Sequence, residues 1–115
     1  MKDFNGKIRY KDKEYRLVFN LNVMERLQAE YGSLDKWGEL SDGTTGEPNA
    51  KAVIFGLTEM INEGIDMGND ENGTKDPFLT RRQVGRIITE VGLSQSTEIL
   101  NDTVINSTKS TEKNA

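Results

Sequence analysis

The sequence predicts a mainly α domain of the α+β class: an N-terminal β-hairpin followed by four to five short helices in a compact bundle. Three observations predict it. Apolar and aromatic residues alternate with a period of two over residues 4–19. From residue 22 onward they recur at three- and four-residue spacing, the period of a helix. Three of these helical stretches run into a glycine, Gly32, Gly64 or Gly92, the residue that ends helices most readily. The chain has 115 residues, which fits a single domain, assigned to residues 1–106. A domain of about this size buries roughly two-thirds of the surface its unfolded chain exposes. Apolar residues make up 34% and charged residues 30%, so a small core under a heavily solvated surface is expected.

Residues 4–19 read as the hairpin. In "KIRY", Ile8 and Tyr10 share one face; in "EYRLVF", Tyr15, Leu17 and Phe19 do the same. The polar "KDK", Lys11 to Lys13, is the connector, and Arg9 and Arg16 fall on the solvated face. A lone hairpin is marginal in water, so its apolar face has to pack on the helices. The first helix spans about 22–31. Asn22 and Glu25 have the spacing of a capping box; Val23, Met24, Leu27 and Tyr31 carry the period, and Gly32 ends it. Ser33 opens a short second helix, 34–40, with Leu34, Trp37 and Leu40 on one side.

Gly43, Gly46 and Pro48 then break the chain into a loop. Asn49 caps a third helix, 50–63. Its apolar positions, Ala52 to Phe55, Leu57, Met60 and Ile61, cover more than half of its circumference, which makes it the most buried helix. Gly64 ends it, and residues 66–77 form a polar, flexible loop. Thr80 and Gln83 make a T-x-x-Q capping box for a fourth helix, 81–91, whose stripe is Val84, Ile87, Ile88 and Val91. Gly92 stops it. A fifth helix, 96–106, carries Ile99, Leu100, Val104 and Ile105. The remainder, "STKSTEKNA", has no apolar residue but the terminal alanine and cannot offset the entropy of ordering; residues 107–115 are expected to form a disordered tail.

Composition closes off several function classes. The net charge is −4, against the basic patch that nucleic-acid binding uses to displace counterions. Cysteine and histidine are both absent, which removes disulfides, thiolate chemistry, the commonest general base and the commonest nitrogen ligand for metals. No apolar run nears the roughly 18 residues that span a bilayer, and "MKDFNGKIRY" lacks the apolar segment of a secretion signal. The expectation is a protein of the producing cell's cytoplasm, with no cofactor, no nucleic acid and no membrane.

Four motifs invite chemistry and each fails on inspection. The acidic run 66–77 suggests calcium, yet an EF-hand loop with Gly73 at its sixth position begins on Gly68, and one with Gly68 there ends on Thr74 in place of the bidentate glutamate. "GTTGEPNAK" has glycines near a lysine, but Glu47 follows the second glycine and would repel phosphate. Residues 81–104 have the outline of a DNA-binding helix-turn-helix, with Gly92-Leu93-Ser94 as the turn and Arg81, Arg82 and Arg86 for phosphate. The would-be recognition helix from Ser94 to Asn101 carries Glu98 and no cation, so it would bring negative charge to the groove. Carboxylate pairs could do acid–base work, but 19 acidic residues guarantee chance pairs, and Glu59 and Glu90, the two nearest to an apolar context, lie on the polar faces of their helices. Trp37, Phe55 and Tyr31 have the spacing of core residues rather than of a stacking platform.

The order of the pieces resembles a known family. A strand closes in Phe19-Asn20; a helix ends in Glu30-Tyr31-Gly32-Ser33-Leu34; an apolar helix carries Ile54-Phe55-Gly56-Leu57; and Leu79-Thr80 with Val84-Gly85 opens another. Over roughly residues 14–105 this pattern is similar to the small tail assembly chaperones encoded by long-tailed phages and prophages of Gram-positive bacteria. It departs from them in the polar insertion at 66–77. The resemblance implies a non-enzymatic protein that binds the tape measure protein, a long, helical, aggregation-prone chain, and keeps it soluble until tail tube subunits polymerise around it. It implies the bacterial host's cytoplasm as the location, absence from the mature virion, the tail tube protein as a second partner and, in some relatives, a longer form made by frameshifting.

The mechanism this suggests is a client helix laying its apolar stripe on a surface left by the hairpin and helices, with the acidic balance suited to a basic client. Tyr15, Leu21, Met24, Met60 and Met67 are the candidate partner-binding residues, the methionines because they adapt to varied surfaces. Two rival functions are an acidic DNA-binding regulator using residues 81–106 and a structural tail or head-to-tail component.

Overall fold

The computed structural model describes residues 6–43 and 46–113, with side chains through residue 108. Two strands, β1 (Gly6–Tyr10) and β2 (Lys13–Leu17), precede five helices: α1 (Leu21–Tyr31), α2 (Leu34–Ser41), α3 (Ala50–Asn72), α4 (Arg81–Val91) and α5 (Leu93–Lys113). The mainly α, α+β class read from the sequence is the observed one. Residues 4 and 5 of the expected hairpin, and Asn114 and Ala115 of the expected tail, lie outside the described residues.

The strands pair antiparallel, with Ile8 opposite Tyr15 and Tyr10 opposite Lys13. Lys13 therefore belongs to the ladder, and the connector is the two-residue Lys11-Asp12, with Lys11 in the left-handed region at φ 56°. This is the short primed-turn geometry that matches strand twist. Ile8 and Leu17 are buried, Tyr10 and Tyr15 half-buried. Arg16 departs from expectation: it is half-buried, with a guanidinium nitrogen 3.9 Å from Glu71 of α3. Past β2 the chain dives inward, burying Val18 and Phe19, and the Val18 N–H donates to the Met60 carbonyl of α3 at 3.2 Å.

The cap of helix α1 lies two residues ahead of the expected one. Asn20, not Asn22, takes the extended conformation and accepts from the Val23 N–H at 3.2 Å. Both asparagines also donate to the Glu63 carboxylate of α3, Asn20 at 2.7 Å and Asn22 at 3.1 Å, which ties the start of α1 to a residue 43 positions beyond its cap. Ser33 caps α2 through the Lys36 N–H, Asn49 caps α3 through the Ala52 N–H, and the Thr80–Gln83 capping box has both of its bonds.

Helix α3 is the hub, touching β2 and each of the other helices. It runs straight through Gly64, where a stop was expected, and ends at Gly73. Gly64 serves packing: a Cβ there would sit 2.5 Å from the backbone carbonyl oxygen of Arg16, so glycine is what lets β2 lie against the helix. Gly56 does the same for the indole of Trp37, whose ring carbon would be 2.5 Å from an added Cβ. Residues 66–72 are thus helix rather than loop. The segment that follows is tied down by two asparagines one heptad apart on α3. Asn62 bonds both the N–H and the carbonyl of Leu79, at 2.8 and 3.0 Å. Asn69 does the same for Asp76, at 2.9 and 3.1 Å, and also accepts from Thr74.

Helix α5 starts at Leu93, with Gly92 alone as its connection to α4, and its helical backbone continues to Lys113. The expected disordered tail from 107 is replaced by helix, and Ser107 is fully buried. Ser107 packs against the body of the fold, and Thr103 and Thr108 donate to carbonyls one turn back, Ile99 and Val104, at 2.9 and 3.0 Å, so these hydroxyls have partners without leaving the helix. The core gathers Ile8, Leu17, Phe19, Val23, Leu27 and Trp37 from the first half of the chain around Leu57, Met60 and Ile61 of α3, with Val84, Ile87, Ile88 and Leu100 closing it.

Candidate functional site

Helix α5 forms one side of an open groove, the α2–α5 groove, whose other side is α2 at one end and Asp42, Glu47 and Pro48, which follow α2, at the other. On α5 the residues facing it are Leu93, Ser94, Thr97, Glu98, Asn101, Val104 and Ile105. Their spacing of three and four keeps them on one face, and from Leu93 to Ile105 they extend about 18 Å along the axis. The groove consists of two adjoining hollows. One, of about 590 Å³, has Leu93, Thr97 and Pro48 as its apolar surface. The other, of about 530 Å³, lies over the edge of Trp37 and is walled by Leu34, Val104 and Ile105. Asp42 and Asn101 line both and mark the boundary between them.

Local sequence explains each wall. The Ser33 cap starts α2 so that Leu34 and Trp37 fall on its inner side and Asp35 and Glu39 on its rim. Trp37 is held by its indole N–H, which donates to the buried Ala52 carbonyl at 3.0 Å. Leu100 anchors α5 in the core, which turns the neighbouring stripe outward. Four large hydrophobic residues are exposed among the described residues, and two of them, Leu93 at 38% and Ile105 at 57%, stand at the two ends of this groove.

The electrostatics are one-sided. Asp35, Glu39, Asp42, Glu47 and Glu98 line the groove, and among the described residues no lysine or arginine does. Residues 93–108 of α5 contain no cation at all. Among the described residues, no ion pair neutralises Asp35, Glu39, Glu47 or Glu98. Carboxylates gathered around a low-dielectric floor focus a negative potential there.

The five partner-binding candidates from the sequence lie elsewhere, and none lines this groove. Leu21 is 68% exposed on the first turn of α1, and Met24 and Met67 are half-buried on α1 and α3. Tyr15 is half-buried on the hairpin with the Lys13 ammonium 5.4 Å from its ring centre. Met60 is a correction: it has 0% exposure and sits in the core, where no partner reaches it. Placing the start of the fifth helix at Ser96 left Leu93 in a turn, and so hid the apolar end of the groove. The absence of any lysine or arginine from residues 93–108 was the signal that could have found it.

The other sequence candidates resolve as structure. Glu59 pairs with Arg26 at 3.3 Å. Tyr31 and Phe55 meet edge to face at 5.7 Å, and burial, then the neighbouring Glu30, raises the Tyr31 phenol above its usual range against the pull of Arg81. Arg82 and Arg86 line a separate hollow with Tyr10 and Glu90. Among the described residues no cluster of three acidic, histidine or cysteine side chains could hold a metal ion, and no helix is long and apolar enough to cross a membrane. Comparison of the chain with family models, with curated proteins and with solved structures found no match.

Proposed function

We propose that this protein is a non-enzymatic assembly chaperone of a long-tailed phage or prophage. It binds the tape measure protein, holds it soluble in the bacterial host's cytoplasm while the tail tube protein assembles around it, and is left out of the mature virion. The observation that carries the reading is the solvent-open α2–α5 groove, which has apolar surface in each of its two hollows and is presented by elements whose other faces are anchored in the core. An exposed apolar strip with a polar rim is the common form of a helix-binding surface. The ordered resemblance of residues 14–105 to tail assembly chaperones supplies the identity of the client.

The DNA-binding alternative has less support. A helix-turn-helix uses a turn of about three to four residues, whereas Gly92 alone joins α4 to α5, and residues 93–108 of the second helix carry Glu98 and Asp102 without a cation. Duplex phosphates would be repelled there.

Co-expression tests the proposal. With the product of the longest neighbouring reading frame, the chaperone reading expects a larger soluble fraction of that product and a stoichiometric complex on gel filtration. Unchanged insolubility with no complex overturns it. Recovery of this protein in purified virions would instead favour a structural tail component.

A further inference from the structure

We propose that the α2–α5 groove recognises a client helix by a bipartite code: two apolar anchors about three turns apart, with lysine or arginine between and beside them. The proposal deepens the chaperone reading and rests on it for the existence of a helical client. The two hollows supply the anchor seats, one at Leu93 and one at Val104 and Ile105. Leu93 and Val104 are 11 positions apart, about 17 Å along a helix. Eleven residues are close to three whole turns, so a client helix lying along α5 presents its own residues i and i+11 on the same face. Between the seats the groove is crossed by Asp42 and Asn101, which suits a client cation at i+4 or i+7.

Charge decides between occupants. An acidic or neutral amphipathic helix would fill the same apolar seats, yet it would bring its flanking groups against Asp35, Glu39, Glu47 and Glu98, none of them neutralised by an ion pair among the described residues. A helix with lysines beside its stripe meets opposite charge along both rims. Such complementarity raises the rate of encounter and rejects wrong partners.

The test uses three synthetic helical peptides of equal length and the full chain. The first has leucines at i and i+11 and lysines at i+4, i+7 and the flanks. The second replaces those lysines with glutamate. The third keeps the composition of the first but moves the leucines off a common face. Binding is followed by anisotropy of labelled peptide and by the fluorescence of Trp37, which is the lone tryptophan of the chain and lies under the second seat. The first peptide is expected to bind with a change in Trp37 emission, and the other two at least tenfold more weakly. Ile105→Asp and Glu98→Lys, both at exposed positions, are each expected to weaken the first peptide at least tenfold while circular dichroism and Tm stay as in the parent.

Equal binding of the third peptide would reduce the effect to non-specific attraction of cations and overturn the code. So would full binding by both variants, which would place the peptide on another surface. A concentration-dependent dimer that Ile105→Asp dissociates would make a second copy of the chain the occupant instead, again overturning the proposal. The two readings separate cleanly: if both variants still solubilise the co-expressed client, the chaperone stands and the groove code falls. If the first peptide binds as described but the client stays insoluble, the groove stands and the chaperone reading falls.

Discussion

Gly64→Ala and Gly68→Ala should move stability in opposite directions, although both place alanine for glycine one turn apart on the same helix. At Gly64 the new Cβ would lie 2.5 Å from the Arg16 carbonyl oxygen. Ordinary contact begins near 3.4 Å, so the strand has to retreat by about 0.9 Å. That oxygen belongs to the backbone of β2, so the movement is shared by the hairpin and cannot be absorbed by a side-chain rotation. Overpacking of this kind costs about 1–3 kcal/mol, offset by up to about 1 kcal/mol from the better helix propensity of alanine. The net loss is about 1–2 kcal/mol, or a drop in Tm of about 4–8 °C for a domain of this size. At Gly68 an added Cβ meets nothing within 4 Å, so only the propensity term remains, a gain of about 0.5–1 kcal/mol. Denaturant unfolding followed by circular dichroism measures both. A Gly68→Ala variant no more stable than the parent would refute the helix over residues 66–72, and a stabilised Gly64→Ala would refute the close approach of β2 to α3.

Trp37→Phe removes the indole N–H bond to Ala52 and leaves a void between α2 and α3, and should cost about 2–3 kcal/mol, read from the shift of the urea midpoint. Asn62→Ala frees both backbone groups of Leu79 and should cost about 1–2 kcal/mol, with limited proteolysis newly cutting between residues 73 and 80. Thr80→Ala should cost about 1 kcal/mol through loss of the cap of α4. Tyr31→Phe should be neutral or mildly stabilising, since the buried Tyr31 hydroxyl has no hydrogen-bond partner. The raised Tyr31 pKa has a definite sign in the pH profile: the folded state holds the proton more tightly, so the contribution is fully present below the unfolded value of 10.0 and is lost as pH rises through the folded one. Phenolate absorbance should show a phase above the ordinary tyrosine range, and Tyr31→Phe should abolish that phase.

Local signals were legible wherever a local interaction decides the structure. Ser33, Asn49 and Thr80 cap the helices their spacing announces, because each bond closes within three residues. Reading failed where a distant residue decides. Asn20 and Asn22 are comparable caps on paper, and both donate to Glu63; the cap is Asn20 because the chain enters α1 from the buried Val18–Phe19 segment with Asn20 extended and accepting from the Val23 N–H. Gly64 carries the mark of a helix stop, and only the arrival of Arg16 from the hairpin makes it an interior packing position. The run from 66 to 72 is polar because it projects beyond the core, and polarity alone does not distinguish an exposed helix from a loop. Methionine chemistry pointed to Met60, but a position facing the hub of the core outweighs any property of the residue itself. The groove was half-legible: the lack of cations on its α5 side is written in residues 93–108, whereas the acids and apolar residues between Leu34 and Pro48 face it only because that stretch lies beside α5, a pairing that no local pattern encodes.

The central place of α3 has a consequence for the birth of the chain. The hairpin, α1 and α2 all precede it, and each turns its greasy side toward a helix that does not yet exist while they leave the ribosome. At about 5–20 residues per second, the 23 residues of α3 take roughly 1–5 s to be added, and during that interval the nascent N-terminal third has nothing to close upon. A protein whose proposed task is to keep another polypeptide from clumping thus passes through the same hazard itself at every round of translation.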